Sequence, residues 1–359
     1  MKHIAQLVGV TQPVVSAVLN NRSYCRVSAE KREAILALAK ELGFRPNSAA
    51  RHLKGKKTNT IAIFTNQGCS VLQNEILRIM LRILEEQHLH AYTVTAGDPV
   101  ELRDKLLEMK ALGIDAFIGF YLGFELNALE EWPLPAVSLG VSWRNPDVAA
   151  DDFQGGELLC KHLLDHGLRR FVFLCNTVEK NIDKYSAIEQ TIRNSNIPGV
   201  TLKAMEFHHN PEIVNEILSA VKNKKVQAFM ASNDYIAGRL MGLLQHSGIA
   251  VPGDVAITGF DGLAASTMTP VPLTTVVMPL KQLAERTVEL LLTRMEGRKD
   301  ERKFLLPVTL RIGESCGCSV PFDFGFYWER IPPVLENTED NENINDTISL
   351  SEQITERKK

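Results

Sequence analysis

The sequence predicts a small all-α head followed by an α/β core of two doubly wound units. Two short apolar helices meet at Gly9, and a third follows before Gly43. From Thr60 onward, short apolar runs alternate with amphipathic helical stretches, and the alternation repeats. Charge is divided in the same way. Residues 1–58 carry eleven Lys or Arg against three Glu, a balance of +8 in a chain whose net charge is −3. A basic head on an acidic body suits a polyanionic partner.

In the head, Lys2 to Val8 offers Ile4, Leu7 and Val8 to one face. The stretch Thr11–Asn20 then places Val14, Val15, Val18 and Leu19 in an apolar stripe at helical spacing. Thr11 is a suitable N-cap, and Pro13 falls in the first turn, where its missing N–H costs nothing. Two short helices joined through a tight glycine turn form a helix-turn-helix, whose second helix enters a DNA major groove. A polar loop with Arg22 and Arg26 leads to a helix capped by Ser28, with Ile35, Leu38, Ala39 and Leu42 on its apolar face. Beyond Pro46, residues 47–54 could make barely two helical turns, too few to be stable without a partner.

Ile61–Phe64 is the first buried strand. It is followed by helix 71–87, strand 90–96, helix 100–112, strand 116–121, a weaker helix and strand 136–139. The second run comprises helix 155–166, strand 171–174, helix 184–194, strand 202–207, helix 212–222, strand 227–231, helix 234–245 and strand 255–259. Residues 273–276, a helix over 280–295 and a strand over 304–312 complete the core. The tail, 321–359, opens on aromatic residues and then turns acidic and Asn-rich, a composition that favours disorder. The predicted domains are a head (1–45), a linker (46–58), one subdomain from 59–150 and 277–306, a second from 151–276 and 307–320, and the tail.

The segments Gly9-Val-Thr-Gln-Pro-Val-Val-Ser-Ala-Val-Leu-Asn20, Val27–Glu33 and Glu41–Leu53 resemble the lactose-repressor (LacI/GalR) family of bacterial regulators. Phe229–Asp234, Val251–Asp261 and Pro272–Thr275 resemble that family's ligand-binding core in the same order. The resemblance implies a periplasmic-binding-protein-like core, a homodimer, and a pseudo-palindromic operator on double-stranded DNA. By position, Gln12, Pro13 and Ala17 would read bases, while Thr11, Ser16 and Asn20, with loop residues Arg22 and Arg26, would meet phosphates. Gln12 can pair bidentately with adenine, whereas Pro13 and Ala17 offer only apolar contact. Many family members have arginine where this chain has Ala17, which should shift the operator sequence. Residues 47–54 match the hinge helix, with Ala50, Leu53 and Lys54 at the minor groove and Leu53 as the wedge that unstacks a base step. Lys56 and Lys57 would track phosphates. The family also usually has a few residues before this start, including the cap of helix 1. One phosphate contact is therefore lost, or the chain begins upstream.

In the core, positions matching Asn233 and Asp261 reach a sugar or nucleobase effector in the family, and Asp234 is expected to cap the helix that begins there. Lys184 stands where the family has an arginine, and a lysine cannot reproduce the guanidinium fork. Gly140 aligns where an acidic residue is common. Asn66, Tyr121 and Trp143 are further candidates for the pocket. The expected effector is sugar-like or a related metabolite. A constitutive binder with a decayed pocket, or a small-molecule sensor not acting through DNA, is the alternative.

No cofactor is called for. The six cysteines show neither disulfide-framework nor zinc spacing, and Cys316-Gly-Cys318 alone is weak evidence for a metal. His162 and His166 lie four apart without the glutamate of a metalloprotease motif. Gly313-Glu-Ser-Cys-Gly317 fits the serine-hydrolase pattern, but no histidine follows His246, so an enzyme is not expected. The sequence lacks an apolar run long enough for a membrane span and lacks a signal peptide at its start, and a reducing cytoplasm is the expected location.

Overall fold

The structure is a computed structural model that describes residues 1–19, 26–43, 57–66, 70–122, 134–207, 210–263, 266 and 269–320. The described chain falls into two compact units, and its described strands form two six-stranded sheets.

The head holds α1 (Lys2–Val8), α2 (Gln12–Leu19) and α3 (Ala29–Glu41). Gly9 ends α1 at φ 67°, a left-handed conformation that glycine adopts without strain. Ser28 caps α3 by accepting from the Lys31 N–H at 3.3 Å. Ile4, Ala5, Val15, Val18, Ile35 and Ala39 form the head's core, with Val8, Val14, Leu19 and Leu38 packed against it. Leu7 and Leu42, which the periodicity places on apolar faces, are exposed instead. Three short helices leave room for only a few fully buried side chains.

In chain order the remaining elements begin with β1 (Thr60–Thr65), α4 (Val71–Glu86), β2 (His90–Thr95), α5 (Pro99–Ala111), β3 (Ala116–Phe120), β4 (Ala136–Gly140) and β5 (Val148–Ala150). There follow α6 (Asp152–Asp165), β6 (Arg170–Cys175), α7 (Ile182–Ser195), β7 (Thr201–Glu206), α8 (Pro211–Lys222), β8 (Ala228–Ala231) and α9 (Asp234–His246). The last are β9 (Ala256–Asp261), β10 (Thr274–Val277), α10 (Leu280–Met295), β11 (Phe304–Leu306) and β12 (Thr309–Arg311). The first sheet runs β11-β5-β4-β3-β1-β2 and the second β12-β10-β9-β8-β6-β7. In the second sheet β7, β6, β8, β9 and β10 pair in parallel, and β12 closes it antiparallel against β10. The connections β6–β7, β7–β8 and β8–β9 run through α7, α8 and α9, as in a doubly wound sheet.

Two departures from the sequence expectation have clear causes. The stretch 304–312 is two strands in two sheets, not one, because Pro307 has no N–H to donate to a ladder. After it the Val308 N–H leaves the strand pattern and bonds to Gln154 Oε1 at 2.8 Å. The strand β5 is only Val-Ala-Ala, too short to show a period, and was not expected.

Every strand residue of β1, β3, β8 and β9 is buried, as in strands covered on both faces. A large cluster under the second sheet joins Phe229, Ile257 and Leu174 to Ile236, Leu240 and Leu244 of α9. The same cluster extends to Ile217 and Val221 of α8. That packing fixes the strand ends on which the functional side chains sit.

Candidate functional site

On α2 the core-facing valines leave the first turn open to solvent. Thr11, Gln12 and Pro13 are exposed, and the Thr11 carbonyl accepts from the N–H groups of Val14 at 3.0 Å and Val15 at 3.2 Å. Ser16 is half-buried, and Arg26 is exposed. Ala17 differs from the expectation for a base-reading residue, since it keeps only 8% exposure. A methyl so covered has little surface to offer a thymine. Asn20, Arg22, Ala50, Leu53 and Lys54, and with them the hinge helix and the tail, lie outside the described residues.

Lys57, expected to track phosphate, donates to the Met295 carbonyl at 2.9 Å and so satisfies an orphan carbonyl at the end of α10. Asp115 then clamps the chain as it enters β1. Its carboxylate accepts from the N–H groups of Thr58 at 3.2 Å and Asn59 at 2.6 Å. The linker residues 46–56 are therefore followed at once by a fixed anchor.

The second concentration of polar groups lies at the carboxyl end of the second sheet, where ligands of open α/β folds bind. Asp261 ends β9, and residues 232–234 follow β8 directly. Lys184 projects from α7 and is 8% exposed. Its Nζ donates to the Ser232 carbonyl at 3.0 Å and stands 3.8 Å above the centre of the Phe260 ring. Two buried carboxylates, Asp261 and Asp152, feel the charge of this cation, and a third, Asp234, acts on Asp261. Burial pushes the Asp261 carboxyl well above the usual range; Lys184 pulls it down, while Asp234 and Asp152 push it further up. Burial likewise raises Asp152, again opposed by the charge of Lys184. Asp234 is pushed up to about 6 by burial, against the hydrogen bonds it accepts from Thr275 and Leu263.

Asp261 is also held at φ 106°, a conformation disfavoured for any residue with a Cβ. Such strain costs on the order of 1–3 kcal/mol and gathers at functional positions. Asp152 Oδ1 is buried without a protein hydrogen-bond partner. A buried acceptor of that kind is expensive unless a ligand or a proton satisfies it.

The capping role expected of Asp234 falls to Asn233. Asn233 caps α9, its side chain accepting from the Ile236 N–H at 2.8 Å. Asp234 turns inward and is 4% exposed, accepting from Thr275 Oγ1 at 2.5 Å and the Leu263 N–H at 2.8 Å. The space it fills exists because residue 259 is glycine: a Cβ there would lie 2.3 Å from Asp234 Oδ1.

Asn66 and Tyr121 follow β1 and β3 at the corresponding edge of the first sheet. Asn66 Nδ2 donates to the Tyr121 carbonyl at 3.1 Å, and Tyr121 has φ 49°. The side chain of Trp143 lies outside the described residues. Asp152 escaped the sequence reading; its only signal is the pair of acids that follows Val-Ala-Ala. The hydrolase-like serine is structural. Ser315 is fully buried, with its Oγ donating to the Ile257 carbonyl at 2.6 Å and accepting from the Thr274 N–H at 2.9 Å.

A family model described as bacterial regulatory proteins, lacI family, matches residues 1–47, and one described as a periplasmic binding protein-like domain matches residues 160–316. The chain is 25% identical to the sucrose operon repressor of Streptococcus mutans over 320 residues, covering 87% of this chain and 98% of that protein. It is 27% identical to the HTH-type transcriptional repressor PurR of Pasteurella multocida over 317 residues, 84% of this chain and 93% of that one. Among solved structures, the lac repressor dimer bound to operator and the anti-inducer ONPF shares the fold. Its TM-score is 0.75 at 20% identity, over 87% of this chain and 97% of that chain.

Proposed function

Because the chain belongs to the lacI family of bacterial regulatory proteins, we propose that it is a dimeric, cytoplasmic transcription regulator. It represses through a pseudo-palindromic operator and is controlled by a small polar effector. The observation that carries this reading is the head. Its own apolar core holds α2 so that the first turn, Thr11 to Pro13, faces solvent. In each half-site Gln12 reads an adenine edge, Pro13 packs on the neighbouring base, and Thr11 and Ser16 meet phosphate. Asn20, Arg22 and Arg26 add phosphate contacts that carry no sequence choice. Two linkers meet at the centre of the operator, where Ala50 permits close approach, Leu53 wedges a base step open and Lys54 flanks the groove.

The effector is a sugar-like or related polyhydroxylated metabolite. Polyol hydroxyls need both donors and acceptors, and Lys184, Asp152, Asp261 and the Asn233 amide supply both. A carboxyl with a raised pKa holds its proton to a higher pH than a free one, and in its protonated form it can donate as well as accept. Asn66, Tyr121 and Trp143 are the further proposed contacts. Relatives support this ligand class: a solved lac repressor carries ONPF on its operator, and the regulator CelR was solved with cellobiose. Occupancy acts on DNA by favouring one of two linker arrangements, through the difference in its affinity for them.

The test is selection from a random duplex pool by the full chain, with and without a panel of sugars and nucleobases. The proposal requires an enriched palindrome whose occupancy changes with at least one compound. A palindrome indifferent to every compound removes the effector half, and no enriched site at all removes the DNA half.

A further inference from the structure

The fold brings together two pairs that are more than 140 residues apart in sequence. His162 on α6 and His166, the residue that caps its C-terminal end, have ring centroids 4.6 Å apart. Cys316 and Cys318 lie on the turn that follows β12. His162 Nε2 is 3.3 Å from Cys316 Sγ and 3.8 Å from Cys318 Sγ, and His166 Nε2 is 3.1 Å from Cys318 Sγ. One donor atom from each of the four residues lies within 4.8 Å of all the others. A tetrahedral zinc with Zn–S near 2.3 Å and Zn–N near 2.1 Å needs sulfur and nitrogen about 3.6 Å apart. The side chains therefore need to move by no more than fractions of an ångström to about one ångström.

The turn is built to hold this arrangement. Ser315 is locked by Ile257 and Thr274, and the Glu314 N–H bonds to the Pro272 carbonyl at 2.8 Å. Thr274 Oγ1 donates to Cys316 Sγ at 3.0 Å, which orients the sulfur. Two thiolates and two imidazoles are the donor set of closed, four-coordinate structural zinc and a poor one for magnesium or calcium. The sequence reading found no metal spacing because neither pair alone is diagnostic. The fold supplies the other half.

We propose that His162, His166, Cys316 and Cys318 bind one zinc ion per chain and thereby staple the chain after β12 to helix α6. This role is separate from the effector cluster, none of whose side chains it uses. Zinc binding releases the thiol protons and joins segments distant in sequence, so the bound form unfolds at a higher temperature than the stripped form.

The test uses the full-length protein, purified under reducing conditions, stripped with a chelator, and titrated with zinc and separately with cobalt. The expected result is one equivalent bound, a rise in Tm, and the intense visible bands of tetrahedral thiolate-bound cobalt. Cys318→Ser and His166→Ala, both at positions with solvent access, should weaken zinc binding at least tenfold. Both should also lose the cobalt bands, with circular dichroism like that of the stripped wild type. Failure of the stripped wild type to take up either metal overturns the proposal. So does a cobalt spectrum that both variants retain, which would place the metal elsewhere. A Cys316–Cys318 disulfide persisting in the reduced protein also overturns it.

Discussion

Replacing Asp234 by asparagine removes a buried charge without emptying its site. In the native chain this carboxyl is pushed up to about 6, from an ordinary value of 3.8, chiefly by burial. A raised acid binds its proton more tightly in the folded than in the unfolded state. Its stabilising contribution is therefore present at low pH and is lost as pH rises through the folded value. A difference of roughly two pH units corresponds to ~3 kcal/mol, lost between about pH 4 and 7. Asp234→Asn has no such dependence. It also forfeits one acceptor, because Thr275 and the Leu263 N–H bond to different oxygens and asparagine puts an NH2 in place of one of them, at a cost of about 1–3 kcal/mol. The variant should be the less stable protein at pH 4.5 and should draw level near pH 7.5. Urea unfolding of both proteins across that range reads the difference directly. A difference that narrows by about 2 kcal/mol between pH 4.5 and 7.5, most of it below pH 6, supports the buried, perturbed carboxyl. A difference flat with pH refutes it.

Other consequences follow from the same geometry. Lys184→Met leaves Asp152 and Asp261 without their cation and should cost about 3–5 kcal/mol at neutral pH. That loss should shrink as the acids protonate, so equal losses in urea melts at pH 5 and pH 8 would mean that only the packing of the stem matters. Gly156→Ala would place a Cβ 2.6 Å from the Lys184 carbonyl and 2.8 Å from Ala187 Cβ. Overpacking of about 1–3 kcal/mol outweighs the ~1 kcal/mol gained in helix propensity, so chemical denaturation should show a net loss. Gln12→Ala should relax base choice at one position per half-site, a discrimination of about 1–3 kcal/mol, and leave the salt dependence of DNA binding unchanged. Binding to single-base operator variants checks it.

The head was legible because its valines and isoleucines recur at helical spacing and a three-helix unit has few other residues from which to build a core. Val15, Val18 and Ile35 are fully buried or nearly so, as their spacing demands. The burial of Ala17 was not legible, because a methyl suits a core position and a groove equally. The alternation of strands and helices gave the doubly wound core, yet β5 was too short to show a period. The single strand expected over 304–312 ignored Pro307. Asn233 and Asp234 are both competent caps. What sends Asp234 inward is the space left by Gly259 and the hydroxyl of Thr275, neither near it in sequence. Asp152 and the His–Cys set share that reason: each depends on partners that only the tertiary fold brings close.

The central claim is that a ligand at the Lys184–Asp261 cluster changes affinity for DNA bound by α2. The most direct measurement is operator binding by the full chain, titrated with the effector that selection identifies, in wild type and in Asp261→Asn. The account predicts that the wild-type operator Kd shifts at least fivefold at saturating effector. In the variant the effector concentration needed should rise at least tenfold, with operator affinity in its absence unchanged. If Asp261→Asn responds at the same effector concentration as wild type, the effector does not bind where Lys184 and its carboxylates meet.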